Sequence, residues 1–308
     1  MMVAKYVVYE KTADNLAVHD LKIKQSTFPA GERYLKLESE SVDLIFNTIK
    51  NCDEYPVHTV VITPLDASAD TMMDMIFLQN AIVETFGSNA PRCCVEFDYL
   101  PYGRQDRACS TGESFSLKVY LNIIAPYFDK IIINDVHNKK NTEAIADYTT
   151  SLHGKVVFRD CHFVPSGYIN VIGNDALDSF NPDTTCVVIV DDGALARCEQ
   201  AMDFLGHTNC IKFKKTRKDG KVTTAIEYNH CDDTSKITDF IIFDDICDDG
   251  ATFLKTADFI DEKINDAANK TLVLSHGIFS AGLDRLREKY RNILVVDNFY
   301  NNKRLERL

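Results

Sequence analysis

From about residue 57 onward, short β-branched, apolar runs alternate with amphipathic stretches of helical length, which restricts the chain to α/β folds. VHTVVITPL (57–65) predicts a strand, and MMDMIFLQNAIVETFG (72–87) a helix that stops at Gly87. RCCVEFDYL (92–100) is the next strand, FSLKVYLNIIAPYF (115–128) a helix, and KIIINDVH (130–137) a further strand followed by a short helix. The cycle resumes with CVVIVDD (186–192), a helix from Ala194 to Leu205, and the strands CIKFKK (210–215) and DFIIFDDIC (239–247). A helix from Ala251, the strand TLVLSHGIF (271–279), a helix over 282–290 and the strand NILVVDN (292–298) complete it. Strands this apolar, each trailed by a helix, belong in parallel sheets covered on both faces. The 308 residues suit two domains of ordinary size, with the boundary placed near 145–150, giving 1–148 and 149–308.

Composition narrows the partners. With 45% hydrophobic and 26% charged residues the chain can bury sizeable cores. A net charge of −12 argues against a nucleic-acid-binding surface, where clustered positive charge is expected. It leaves room for small anions held by backbone N–H groups, a few cations and a divalent metal. No window reaches the roughly 18 apolar residues of a membrane helix. MMVAKYVVYEKTADN lacks the apolar core of a signal peptide, so the expectation is a cytoplasmic protein with no membrane partner. Ten cysteines include no C-x-x-C pair, which argues against structural zinc and for reduced, mostly buried thiols.

In open parallel sheets, ligands collect at the carboxyl ends of strands. Four such ends carry polar signatures here: PYGRQDR (101–107), DVH (135–137), VDDGALAR (190–197) and DDICDDGAT (244–252). Asp244 and Asp245 end an apolar strand and can accept hydrogen bonds from ribose hydroxyls. The turn through Asp248, Asp249, Gly250 and Ala251, with the Thr252 hydroxyl, opens a helix whose N–H groups suit a phosphate. An isolated acidic pair would read as an acidic loop with a helix cap. Arg104 and Arg107 supply planar cations for phosphate or purine, and Gln105 and Asp106 can hydrogen-bond a nucleotide. Alone, they would read as an exposed charged loop. KFKKTRKDGKV (212–222) contains Asp219-Gly220, a hairpin-turn signal, and would by itself be a solvated basic hairpin.

These strings in this order resemble the ribose-phosphate pyrophosphokinases (PRPP synthetases). The resemblance runs from about residue 27 to 298. DDICDDGAT resembles the family's ribose-phosphate loop, and PYGRQDR its ATP motif, which phosphoribosyltransferases proper lack. Asp135-Val136-His137 looks like the Asp-x-His motif, and VDDGALAR the segment that sets Asp191 at metal and sugar. Lys215-Thr216-Arg217 matches the Lys-x-Arg of a mobile catalytic flap. TFPAGER (27–33) resembles the loop that reaches a neighbouring subunit's adenine site, and SHGIFSAG (275–282) a C-terminal segment whose His276 reads as structural.

The resemblance implies two tandem type I phosphoribosyltransferase-like domains, each a mostly parallel sheet flanked by helices. It implies magnesium, ATP as diphosphate donor, ribose 5-phosphate as acceptor, and a homo-oligomer built from dimers, often a hexamer. By residue, Lys215 and Arg217 would be catalytic. Phe28, Glu32, Arg104, Gln105, Asp106, Arg107 and His137 would bind ATP. Asp191, Asp244, Asp245, Asp248, Asp249, Gly250, Ala251 and Thr252 would bind the acceptor. His137 and Asp191 would approach the metal, although magnesium prefers oxygen and a lone histidine at a strand end is otherwise structural. No residue announces itself as a general base.

Two departures stand out. Ala30 replaces an acidic residue usual in the adenine loop, and Asp249 stands where the phosphate loop usually has threonine. A carboxylate about 5 Å from a phosphate costs roughly 3 kcal/mol per phosphate charge at an effective dielectric near 20. A phosphomonoester carries nearly two such charges and each phosphate of a diphosphate bridge one. The acceptor can therefore be read as ribose 5-phosphate or as a larger derivative such as ADP-ribose, while Asp249 can equally point to solvent or cap the following helix. A phosphoribosyltransferase or a non-catalytic regulatory paralogue are the remaining alternatives.

Overall fold

The computed structural model describes residues 2–10, 15–51, 57–149, 152–159, 181–206, 209–218, 221–231, 233–298 and 303–307. It divides into two compact units, Met1–Asp160 and Cys161–Leu308.

The N-terminal unit is built on β1 (Met2–Glu10), β2 (Asn15–Asp20), β5 (Val57–Pro64), β6 (Arg92–Phe97), β7 (Lys130–Asn134) and β8 (Val156–Arg159). They form one sheet in the order β2-β1-β5-β6-β7-β8. The four strands from β5 to β8 run parallel, while β1 is antiparallel to both its neighbours. A separate hairpin, β3 (Ile23–Thr27) and β4 (Arg33–Leu37), pairs with itself alone. The helices are α1 (Ser39–Asn51), α2 (Ala69–Phe86), α3 (Ser116–Ile124) and α4 (Lys139–Tyr148). Val60, Ile62, Val95, Phe97, Ile131 and Ile133 leave water completely and form the middle of the core.

Element ends have local causes. α2 begins three residues before its first apolar pair, because the Ser68 hydroxyl accepts the Thr71 N–H at 3.1 Å. Such a cap contributes about 1 kcal/mol. Asp66 in turn accepts from the Ser68 and Thr71 hydroxyls at 2.5 and 2.7 Å. The helix expected over 115–128 tightens into a 3-10 turn at Ala125–Tyr127, where Pro126 has no N–H to donate. β6 stops at Phe97 and β7 at Asn134, so YL and DVH belong to the loops beyond them.

The C-terminal unit carries a seven-stranded sheet in the order β11-β10-β9-β12-β13-β14-β15. Its strands are β9 (Thr185–Ile189), β10 (Cys210–Lys218), β11 (Lys221–Asn229), β12 (Asp239–Cys247), β13 (Asn269–Gly277), β14 (Asn292–Asn298) and β15 (Lys303–Arg307). The five central strands are parallel, and β11 and β15 close the edges antiparallel. β9 is buried at every position, as expected for a strand flanked by β10 and β12 and covered on both faces. The helices are α5 (Leu195–Leu205), α6 (Ala251–Lys263) and α7 (Asp284–Lys289). Tyr290, in the core, donates its hydroxyl to the Phe253 carbonyl at 2.7 Å and so ties the end of α7 to α6.

The α/β class with mostly parallel, helix-flanked sheets is thus as expected. Eight cysteines lie among the described residues as free thiols, and six of them are buried. No described helix is long and apolar enough to cross a membrane.

Candidate active site

In the N-terminal unit the β6–α3 connection carries the basic motif. Its chain turns sharply through Tyr102 and Gly103, with Gly103 N–H on the Leu100 carbonyl and Gln105 N–H on the Tyr102 carbonyl. A Cβ at Gly103 would lie 3.1 Å from that Leu100 oxygen, so the turn favours glycine. Asp106 is buried and accepts from the Asn141 amide of α4 at 2.8 Å. It pins the turn and leaves Arg104, Gln105 and Arg107 exposed. Beyond them the Glu113 carboxylate accepts the Cys109 and Ser110 N–H groups at 2.8 and 2.9 Å, closing the loop before α3.

The next strand end holds Asp135, whose N–H donates to the Arg159 carbonyl at 3.0 Å. The Asn134 amide reaches Glu96 and Asp98, and Arg159 pairs with Glu96 at 2.7 Å, so the ends of β6, β7 and β8 are cross-linked by polar groups. His137 is exposed just before α4. On the β3–β4 hairpin, Phe28 and Glu32 flank a tight loop with Phe28 N–H on the Glu32 carbonyl. Gly31 takes φ +91°, which favours glycine. Phe28 is half-exposed with only an edge contact to Tyr34, Glu32 is exposed, and Ala30 at the tip offers no polar group.

In the C-terminal unit the acidic residues converge. Asp191 caps the short turn after β9, accepting the Gly193 and Ala194 N–H groups at 3.1 and 3.2 Å. Asp244 and Asp245 end β12, and Asp244 accepts the Asp245 N–H at 2.9 Å. Arg197 of α5 stands 3.7 Å from the Asp244 carboxylate. Burial pushes the Asp244 carboxyl well up; the Asp245 charge and hydrogen bond push it further, Arg197 opposes the shift, and Asp191 adds to it.

The loop into α6 is built for close approach. Gly250 takes φ +77°, and a Cβ there would meet Leu286 at 3.2 Å. Asp248 accepts from the Ser280 hydroxyl at 2.7 Å, fixing one side of the loop. Asp249 is exposed and accepts the Ala251 N–H at 2.9 Å. Its carboxylate therefore occupies the first N–H donor of α6 through an Asx turn one residue outside the Gly250 N-cap. Ala251 is exposed and Thr252 half-buried in the first turn.

Lys215 and Arg217 lie on β10, paired with Thr224 and Val222 of β11. Their side chains, and the Asp219-Gly220 turn, fall outside the described residues. Nearer the base of that hairpin, Lys212 is buried and binds both Asp192 and Glu227, the latter at 2.8 Å. Among the described residues only three non-glycines have positive φ: Tyr102 (62°), Asp135 (40°) and Phe279 (50°). Each sits within a strand-end motif, and such conformations cost of order 1–3 kcal/mol apiece unless the surroundings enforce them. At Phe279 the cause is visible: its ring packs where a Cβ on Gly277 would be 2.2 Å away, so the SHGIF turn requires that glycine.

No family model matches the chain. The curated ribose-phosphate pyrophosphokinase of Pyrococcus abyssi is 22% identical over 281 residues, covering 90% of this chain and 84% of its own length. That of Thermococcus kodakarensis is 24% identical over 291 residues, covering 94% and 90%. The crystal structure of phosphoribosylpyrophosphate synthetase from Mycobacterium smegmatis superposes with a TM-score of 0.66 at 19% identity, over 89% of this chain and 80% of that one. Over nearly its whole length the chain is thus similar to ribose-phosphate pyrophosphokinases. It shares that synthetase's fold, a tandem of phosphoribosyltransferase-like α/β domains.

For this pyrophosphokinase relative, sequence reasoning passed over several residues that organise the site. Asn141 braces Asp106, Ser280 braces Asp248, Lys212 links the Asp191–Asp192 turn to the hairpin, and Arg197 faces Asp244. Arg197 stood inside a quoted motif, but nothing in the string says that it meets a strand end 47 positions later. The structure brings Asp191, Asp244 and Asp245 together in one unit and Arg104, Gln105, Asp106 and Arg107 on one turn of the other. Among the described residues no three His, Cys, Asp or Glu side chains gather into a site that could hold a metal ion by themselves.

Proposed function

We propose that the chain transfers the β,γ-diphosphate of ATP to the anomeric hydroxyl of ribose 5-phosphate, giving PRPP and AMP. The observation that carries this reading is the Arg104–Arg107 turn: Asp106 is locked against Asn141 while both arginines face outward. A phosphoribosyltransferase, which consumes PRPP, has no use for such a turn.

In this reading the anomeric oxygen attacks the β-phosphorus. The new bond is C1–O–Pβ, the bond broken joins Pβ to the α,β-bridging oxygen, and AMP leaves with that oxygen. The hydroxyl proton passes to solvent, since no side chain presents itself as its acceptor. Arg104 and Arg107 hold the triphosphate, with Gln105 and Asp106 beside them and Phe28, Glu32 and His137 toward the nucleotide. Asp244 and Asp245 accept from the ribose hydroxyls, and the turn from Asp248 to Thr252 receives the 5-phosphate at the start of α6. Lys215 and Arg217 close over the phosphates as charge moves onto the leaving group.

Magnesium fits this residue set in a limited way. It is commonly bound through one or two carboxylates plus substrate phosphates, so the missing protein-only cluster is no obstacle and Asp191 is a suitable ligand. His137 is a weaker match for so hard a cation. The metal would neutralise triphosphate charge. The same resemblance supports a homo-oligomer built from dimers, in which the Phe28–Glu32 loop serves a neighbouring subunit.

Asp249 favours a second reading. A carboxylate on the Ala251 N–H repels a phosphomonoester more than a diphosphate bridge, so the acceptor would be a larger ribose 5-phosphate derivative such as ADP-ribose. The test is AMP release from MgATP with either acceptor. Release with ribose 5-phosphate supports the first reading, and release chiefly with ADP-ribose the second. Release with neither overturns both and leaves a non-catalytic paralogue.

A further inference from the structure

Asp74 is a carboxylate in the second turn of α2 with no exposed surface at all. A buried charge of this kind persists only when it is paired and hydrogen-bonded. Among the described residues, its hydrogen-bond partners all come from the β3–β4 hairpin. Arg33 binds it with two nitrogens, Nε to Oδ1 at 3.0 Å and Nη2 to Oδ2. The Gln25 amide donates to Oδ2 at 2.9 Å. The remaining Arg33 Nη1 donates to the Thr27 hydroxyl at 2.8 Å. Gln25 and Thr27 belong to β3 and Arg33 opens β4, so the network ties both strands to α2 directly beneath the Phe28–Glu32 loop.

The hairpin needs such a tie. It belongs to neither large sheet, and an isolated two-stranded ribbon is marginal in water. Its open end is attached separately: Leu21 N–H donates to the Ala4 carbonyl and Lys22 N–H to the Ser41 hydroxyl. The loop end, with Phe28 and Glu32 projecting outward, is attached through Asp74. A fork-on-carboxylate contact fixes direction as well as distance, which a lysine would not reproduce. A buried ion pair adds little net stability over an apolar replacement, so its value lies in geometry.

We propose that Asp74, Arg33 and Gln25 are positioning residues that set the pose of the Phe28–Glu32 loop and through it the affinity for the nucleotide. The proposal rests on the reading of that loop as part of an ATP site. The experiment uses the full-length protein and its AMP-release assay, with the KM for ATP, the KM for the acceptor, kcat and the melting temperature measured for each variant. Gln25→Ala removes one donor and leaves the ion pair, so it guards against loss of folding; Arg33→Lys keeps the charge and loses the fork. Both are expected to raise the KM for ATP roughly tenfold while kcat and the acceptor KM change little. Combined with Phe28→Ala, Gln25→Ala should add nothing, because residues acting through one loop are not additive. If Phe28→Ala raises the KM for ATP but Gln25→Ala and Arg33→Lys do not, or if their effects add, the positioning role is wrong. If Phe28→Ala itself leaves the KM for ATP unchanged, the loop is not a nucleotide loop and the proposal falls with that reading.

Discussion

The N-terminal and C-terminal units both carry a mostly parallel sheet, but the loops after their strands differ in what they expose: arginines after β6, carboxylates after β9 and β12. In the first, the loop after β6 presents Arg104 and Arg107 to solvent, with the acid between them, Asp106, buried against Asn141. In the second, the ends of β9 and β12 present Asp191, Asp244 and Asp245, with one guanidinium, Arg197, set 3.7 Å from Asp244. Under the proposed function, the first set of loops would serve polyphosphate and the second sugar hydroxyls. The burial differs as well. The two arginines are exposed, whereas burial first and the neighbouring Asp245 second push the Asp244 carboxyl well up.

The sharpest way to break this proposed division of labour is at the Lys215–Arg217 segment of β10, which the proposed function assigns to the phosphates. Lys215→Ala is expected to lower kcat about 10³-fold, as for removal of a transition-state cation, with the melting temperature unchanged. Unaltered turnover would mean that the flap lies elsewhere. A paired comparison of the two strand ends comes next. A hydrogen bond to a charged group contributes about 1.5–3 kcal/mol, so Asp245→Asn should raise the acceptor KM roughly 10- to 100-fold and leave that for ATP alone. Arg104→Ala should do the reverse on a smaller scale, raising the KM for ATP about tenfold, because an exposed guanidinium is partly screened. If either variant moves both KM values together, the two loops do not divide the substrates as described.

Much of the architecture is legible in the sequence because it is local. DFIIFDDIC and NILVVDN become β12 and β14 with the expected ends, since a continuous apolar run bounded by polar residues has few other uses. The first 56 residues were less legible. β1 is a strand antiparallel to both neighbours within a parallel pattern, and the β3–β4 hairpin has no sheet to complete. What could not be read at all is pairing at a distance. Asp74 looks like an ordinary polar interruption in MMDMIF, yet its partners are 41 and 49 positions away. Tyr102 and Phe279 carry no sign of positive φ in their residue types, because the strain is imposed by the turns around them. For Asp249 the sequence left solvent, helix cap and phosphate repulsion open, and its bond to the Ala251 N–H is a geometric fact that only coordinates supply.

The most direct test of the account is to follow the β-phosphorus itself. ATP radiolabelled at that atom is incubated with magnesium, the protein and ribose 5-phosphate, and in parallel with ADP-ribose, and the products are separated. The account predicts label in a sugar 1-diphosphate and an equal amount of unlabelled AMP. Label remaining in ADP, or appearing only as inorganic pyrophosphate with no sugar product, would contradict diphosphate transfer by this chain.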